Sequence, residues 1–285
     1  MAFLDDIYVV TSRARAAAAF EVVAGTIKEG TGIHTHMGKL QMWSKSGGAA
    51  PDGVVVLDTD NHVVWKGDLD DELNGVVILG TPLGKQAFVE KHASNRVEEE
   101  QLLLHELGHL EDIQCAWTLL TWSAVPRSNH IVRVVPPSLS AKYALDHDAS
   151  IWSAFCKILG ATDHQGDLQA KDVATLPGRL GGLGLRSASR SKEPAYLASW
   201  IDAIPVIQSK LPLLARRIIA CLKGPPLPSG WALSEVQLVR DLLVSQGATE
   251  TPSWDSVMVG SPPPQVDEDD GCDAGEWVRG WQYYF

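Results

Sequence analysis

The stretch Phe3-Leu4-Asp5-Asp6-Ile7-Tyr8-Val9-Val10 sets two adjacent carboxylates inside an otherwise apolar, β-branched run. Ile7 to Val10 are strong strand formers and Phe3-Leu4 supplies a second apolar arm, which predicts a β-hairpin with Asp5-Asp6 at its turn. Two readings of the pair follow. As an ordinary turn, the side chains bond their own backbone. As a site, paired carboxylates are hard oxygen ligands suited to Mg²⁺. Two such ions clamp the attacking and leaving oxygens of a phosphoryl transfer, a chemistry that needs at least one further carboxylate.

The rest of the chain gives this hairpin a large body to sit on. With 285 residues, it is long enough for two compact units and a sizeable core. No window approaches the ~18 consecutive apolar residues of a membrane span, and no secretory signal opens the sequence. A soluble, intracellular protein of nucleus or cytoplasm is therefore expected. Cys115, Cys156, Cys221 and Cys272 are far apart with no C-x-x-C pair, which fits reduced thiols rather than a disulfide framework or a zinc knuckle. The formal charge of −11 argues against broad attraction to phosphates, since that attraction comes from clustered Lys and Arg. Acid is nevertheless concentrated in 58–72, 98–112 and 267–276. Arg127, Arg133, Lys142, Arg179, Arg186, Arg190 and Lys192 fall between.

In chain order, Ser12 is placed to cap a helix over Arg13–Lys28 that ends at Gly30 and Gly32. Residues 32–43 then read as a turn into a short strand, with Lys39 near its start; His34 and His36 read as exposed loop residues. Val54–Leu57 and His62–Trp65 predict a second hairpin around Asp58–Asn61. Val76–Leu79 predicts a strand that Gly80-Thr81-Pro82-Leu83-Gly84 stops. From Gln86 the apolar period becomes helical, over Ala87–Leu107, Ile113–Ala124, Ala141–Leu159, Glu193–Lys210, Leu213–Leu222 and Leu233–Gln246. The Gly-rich run Leu176–Leu185 reads as a tight connector, because a phosphate cradle needs a preceding strand and a Lys-Ser/Thr at the helix start. Gly260–Ala274, Pro-rich and acidic, reads as a flexible surface segment.

A rival site lies in the helical part. His105-Glu106-Leu107-Gly108-His109 is an H-E-x-x-H run, the spacing that puts two imidazoles on one helical face with Glu106 as base beside a zinc-bound water. Gly108 and Glu111-Asp112 look like a helix end and a new helix start, and no third ligand stands out.

Phe3-Leu4-Asp5-Asp6 before a helix, Gly32-Ile33 with Lys39, and Val77-Ile78-Leu79-Gly80-Thr81-Pro82-Leu83-Gly84 come in an order that resembles motifs C, D and E of reverse transcriptases, particularly those of non-LTR retrotransposons. Further runs resemble the region downstream of the palm in such proteins: Asp112–Trp117, Val125–His130, Val135-Pro136-Pro137, Leu176-Pro177 with Gly181–Ala188, and Gly275–Trp277 with Gly280–Gln282. The resemblance implies that Asp5 and Asp6 are the motif C metal ligands for Mg²⁺. It also implies that Lys39 is the lysine assisting protonation of the leaving pyrophosphate, and that RNA and DNA are the partners. The fingers, the motif A strand with its own carboxylate, and the motif B loop would all precede residue 1.

The expected fold class is α+β: a small antiparallel palm-like remnant followed by a mostly α-helical thumb and connection portion. The expected division is 1–85 for the partial palm, 86–160 for a thumb-like region, 161–259 for a helical downstream region and 260–285 for the tail. The expected function is that of a truncated RNA-directed DNA polymerase, inactive alone. Residual nucleic-acid binding is expected through Arg127, Arg133, Arg179 and Arg186. The alternatives are a zinc metallopeptidase using His105, Glu106 and His109, and a non-catalytic nucleic-acid-binding remnant.

Overall fold

A computed structural model describes residues 2–3, 6–59, 62–161, 166–248, 251–263 and 281–283, the side chains of residues 2, 3, 6, 179 and 283 excepted. The described chain is mostly helical with two small antiparallel sheets, an α+β protein at the coarse level. It divides into two compact units, Met1–His92 and Ala93–Phe285.

In the first unit, β1 (Ala2–Phe3) pairs with β2 (Asp6–Ile7), in the register Ala2↔Ile7 and Phe3↔Asp6. A short 3₁₀ turn, Arg13–Arg15, leads into α1 (Ala16–Thr31). That helix stops where Gly32 takes a left-handed conformation, φ 73°, a backbone geometry that glycine adopts without steric cost. Ser12 makes no side-chain cap bond. The small core of the unit is Val54, Val64 and Trp65, with Ala16, Ala17, Leu40, Met42, Ala50 and Leu57 packed on it. Trp65 Nε1 donates to Gly48 O at 2.8 Å, and the Arg13 guanidinium lies 5.4 Å from the Trp65 ring centroid.

The hairpin expected over Val54–Trp65 is not a strand pair. Val55–Leu57 form a 3₁₀ turn, followed by a single bridge, Thr59↔His62. Asp58 Oδ1 accepts from Val64 N at 2.7 Å, which takes a donor that a longer ladder would use. Val64 instead accepts from Met42 N at 2.9 Å in a parallel bridge between Met42 and Trp65. The loops between are tied by buried Asn74. Its amide donates to Gly67 O (2.9 Å) and Leu69 O (3.2 Å), and its oxygen accepts from Trp43 Nε1 at 2.9 Å.

Residues 80–84 do not end the sheet, as expected from their glycines, but turn it back. β3 (Gly75–Ile78) pairs with β4 (Thr81–Gly84). Leu79 and Gly80 between them have φ of 50° and 77°, the two positive values of a tight two-residue hairpin. Gly75 faces Gly84 across the ladder. A side-chain carbon at either position would come within 2.3 Å or 2.7 Å of the Phe88 ring, so the glycine pair makes room for that ring.

In the second unit the helices are α2 (Gln86–Leu107, contributing from Ala93), α3 (Ile113–Leu119), α4 (Ser128–Val134), α5 (Pro137–Ile158), α6 (Leu168–Thr175), α7 (Ala188–Lys210), α8 (Pro212–Lys223), α9 (Ala232–Ser245) and α10 (Trp254–Met258). Helix α4 fills what reads in the sequence as an interval between prolines. Pro126 sits in a 3₁₀ turn and Pro137 at the first position of α5, where the missing N–H costs nothing. One core holds Leu104, Leu107, Leu120, Ile151, Trp152 and Phe155. Another holds Tyr196, Leu197, Ile201, Ile219, Val236, Trp254 and Trp281. Small residues Ala144, Ala188 and Ala195 pack with Val132 in a separate cluster. No described helix is long and apolar enough to cross a membrane.

Burial pushes the Tyr196 phenol up from 10.0 to about 12. Burial, and then the Glu100 carboxylate, raise Tyr143 further still. A raised folded-state value means that the neutral phenol stabilises the fold fully below the unfolded value. That stability is lost as pH climbs from about 10 through 12. Alkaline titration should therefore show Tyr143 and Tyr196 ionising only together with loss of helical circular dichroism. Full phenolate absorbance from all five tyrosines while the helices persist would contradict this.

Candidate functional site

The register of the first hairpin leaves Leu4 and Asp5 as the two residues between its strands, with Asp6 paired opposite Phe3. The acidic pair therefore does not form the turn together: Asp6 is the first residue of β2. Asp5 itself, and the Asp6 side chain, lie outside the described residues. As a donor set the pair suits a hard divalent ion such as Mg²⁺. Among the described residues no three His, Cys, Asp or Glu side chains gather in a group suited to a metal.

Lys39 is exposed and ends a 3₁₀ turn, Met37–Lys39, rather than opening a strand. The turn closes through Lys39 N to His36 O (3.0 Å) and Leu40 N to Met37 O (3.1 Å). Leu40 then enters the small core.

The His-Glu-x-x-His run straddles the end of α2. The helix stops at Leu107, and Gly108, His109 and Leu110 bond back only three residues, to His105, Glu106 and Leu107. The next helix starts anew because Asp112 Oδ1 caps it, accepting from Gln114 N (2.8 Å) and Cys115 N (3.0 Å). Those two backbone bonds, with the Cys115 side chain, hold Asp112 below the usual carboxylate range. The exposed His105 and His109 rings meet edge to face with centroids 4.7 Å apart, and their Nε2 atoms are 3.2 Å apart. Lys157 Nζ lies 3.3 Å from His109 Nε2.

Of the four arginines, Arg127 and Arg186 are exposed. Arg133 is bound within the protein, to Asp202 at 2.8 Å and to Gln282 at 3.1 Å. Arg179 lies in the 3₁₀ turn Gly178–Leu180, its side chain outside the described residues. Arg190, also in the middle of the sequence, pairs with Asp172 and Thr175.

Two polar features of this unit are not evident in the sequence. Buried Asp148 accepts from Ala188 N (2.7 Å), Ser189 N (3.1 Å) and the hydroxyls of Ser187 and Ser189 (2.6 Å each), filling the N-terminus of α7. Buried His147 bonds Glu100 through Nδ1 at 2.7 Å, while its Nε2 has no partner among the described residues. The available signal is positional. His147 and Asp148 interrupt the apolar stripe of α5 formed by Ala144, Ile151 and Phe155.

No family model, no curated protein and no solved structure matches this chain.

Proposed function

We propose that this chain is the motif C-to-thumb portion of a non-LTR-type reverse transcriptase, derived from an RNA-directed DNA polymerase. The observation that supports the reading best is the hairpin at Phe3-Leu4-Asp5-Asp6. Its antiparallel pairing brings the ends of the motif together with two residues between. The order of elements is consistent with the same reading: a helix after the hairpin, an exposed lysine, a second hairpin carrying Leu79-Gly80, and then, among the described residues, helices.

In this proposal Asp5 and Asp6 hold Mg²⁺, and Lys39 delivers a proton to the leaving pyrophosphate. The metal, when bound, would neutralise and align the phosphate oxygens of the incoming nucleotide. Motifs A and B come before motif C in the order of the family and are not among these residues. Residues 1–285 alone, without a second carboxylate strand and nucleotide cradle, are proposed not to synthesise DNA.

Nucleic-acid binding by the chain alone tests the helical part of the reading. An RNA–DNA primer–template should bind with log affinity falling linearly against log salt. Replacing exposed Arg127 or Arg186 by alanine should flatten that slope by about one unit each. Arg133→Ala should instead lower stability, because its guanidinium is held by Asp202 and Gln282. Binding indifferent to salt, or to both exposed arginines, would count against the proposal.

A further inference from the structure

The end of α2 has a metal-binding geometry that is independent of the polymerase reading and that needs no third protein ligand. We infer that His105 and His109 form a two-point clamp for a borderline divalent cation, Zn²⁺ in the first instance, with water completing the coordination.

The argument begins with the spacing of the donor atoms. Zinc–imidazole bonds are about 2.0–2.1 Å long, so two nitrogens on one tetrahedral ion stand roughly 3.3–3.4 Å apart. The two Nε2 atoms are 3.2 Å apart, each on an exposed ring. The separation matches the bite of one ion, which would have to displace Lys157 from His109 Nε2.

Protonation also fits. Lys157 Nζ carries only donors, so its 3.3 Å approach makes His109 Nε2 the acceptor, with the lone pair on that nitrogen. A metal ion would need that lone pair of His109 and the Nε2 lone pair of His105 3.2 Å away.

Lys157 is what opposes the ion. Its stem lies over Gly108, where a side-chain carbon would come 2.5 Å from Lys157 Cδ. The ammonium is thereby held against the nitrogen the metal would use, and the clamp and the lysine compete for one lone pair. The arrangement differs from a peptidase centre, which takes three protein ligands and a catalytic water. What it offers is reversible binding at the surface of a helix end.

Calorimetric titration of the full chain with Zn²⁺ tests this. One equivalent should bind to the wild type and be lost in His105→Ala, in His109→Ala and in the double variant, each weakening it by at least about tenfold. Lys157→Met, which removes the competing charge and keeps the stem, should bind Zn²⁺ more tightly than the wild type. Circular dichroism checks that each variant keeps its helices, which exposed positions should allow. Zn²⁺ binding with unchanged stoichiometry and affinity in the double histidine variant would overturn the clamp. So would no Zn²⁺ binding to the wild type. Equal affinity in wild type and Lys157→Met would overturn the competition.

Discussion

Replacing Asp148 by alanine should lower the stability of the second unit by about 1–3 kcal/mol, the cost of leaving a buried backbone donor without its acceptor. The carboxylate is nearly enclosed and accepts four hydrogen bonds, two from backbone N–H groups and two from serine hydroxyls. They come from the N-cap Ser187 and the first two residues of α7, where unpaired N–H groups and the positive end of the helix dipole favour an anion. Alanine leaves the buried Ala188 N–H without its acceptor, while the part-buried serine hydroxyls keep each other. It also loosens the crossing of α5 and α7, where Ala144, Ala188 and Ala195 allow close packing. Urea unfolding followed by circular dichroism measures the loss. Asp146→Ala is the matched control: it breaks an exposed pair with Lys142 one helical turn apart and should cost no more than about 0.5 kcal/mol. Equal small effects for the two variants would show that Asp148 does not organise this junction.

The same contact explains a limit of the sequence. In the sequence the apolar period of this helix is recognisable only from Glu193. The helix in fact begins at Ala188: Ser187, its N-cap, accepts from Arg190 N at 3.2 Å, a signal local to the sequence, and Asp148, forty residues upstream, adds bonds that local pattern cannot reveal. By contrast α1, α2, α5, α8 and α9 are legible to within a few residues. Their apolar spacing is long and regular, and their ends carry local signals such as Gly32 and Pro212.

Strands are read less well for a related reason. Val54–Leu57 has the composition of a strand, yet the Asp58 carboxylate takes the Val64 N–H and Met42 takes the Val64 carbonyl. In β4 the opposite happens. Pro82 and two nearby glycines look like punctuation, but the positive φ of Leu79 and Gly80 folds the chain back into a ladder. At the candidate site, residue types and order were visible in Phe3-Leu4-Asp5-Asp6, whereas the register was not. Nor could the sequence show that Arg133, read as a nucleic-acid contact, is held by Asp202 and Gln282, or that Lys157 stands beside His109.

The second large effect concerns catalysis, where the proposal makes the outcome nearly all-or-none. Two carboxylates at one hairpin hold only part of the coordination that two-ion nucleotidyl transfer requires. This chain alone should therefore give no primer extension. Its sequence from Ala2 onward should do so once joined behind the fingers, motif A and motif B of a non-LTR reverse transcriptase lacking its own motif C. The measurement is Mg²⁺-dependent extension of a DNA primer on an RNA template by that fusion, with circular dichroism to establish that it folds. The account predicts extension that falls to background in Asp5→Asn and Asp6→Asn. A folded fusion that extends no primer, or one that extends it equally well with both aspartates replaced, would contradict it.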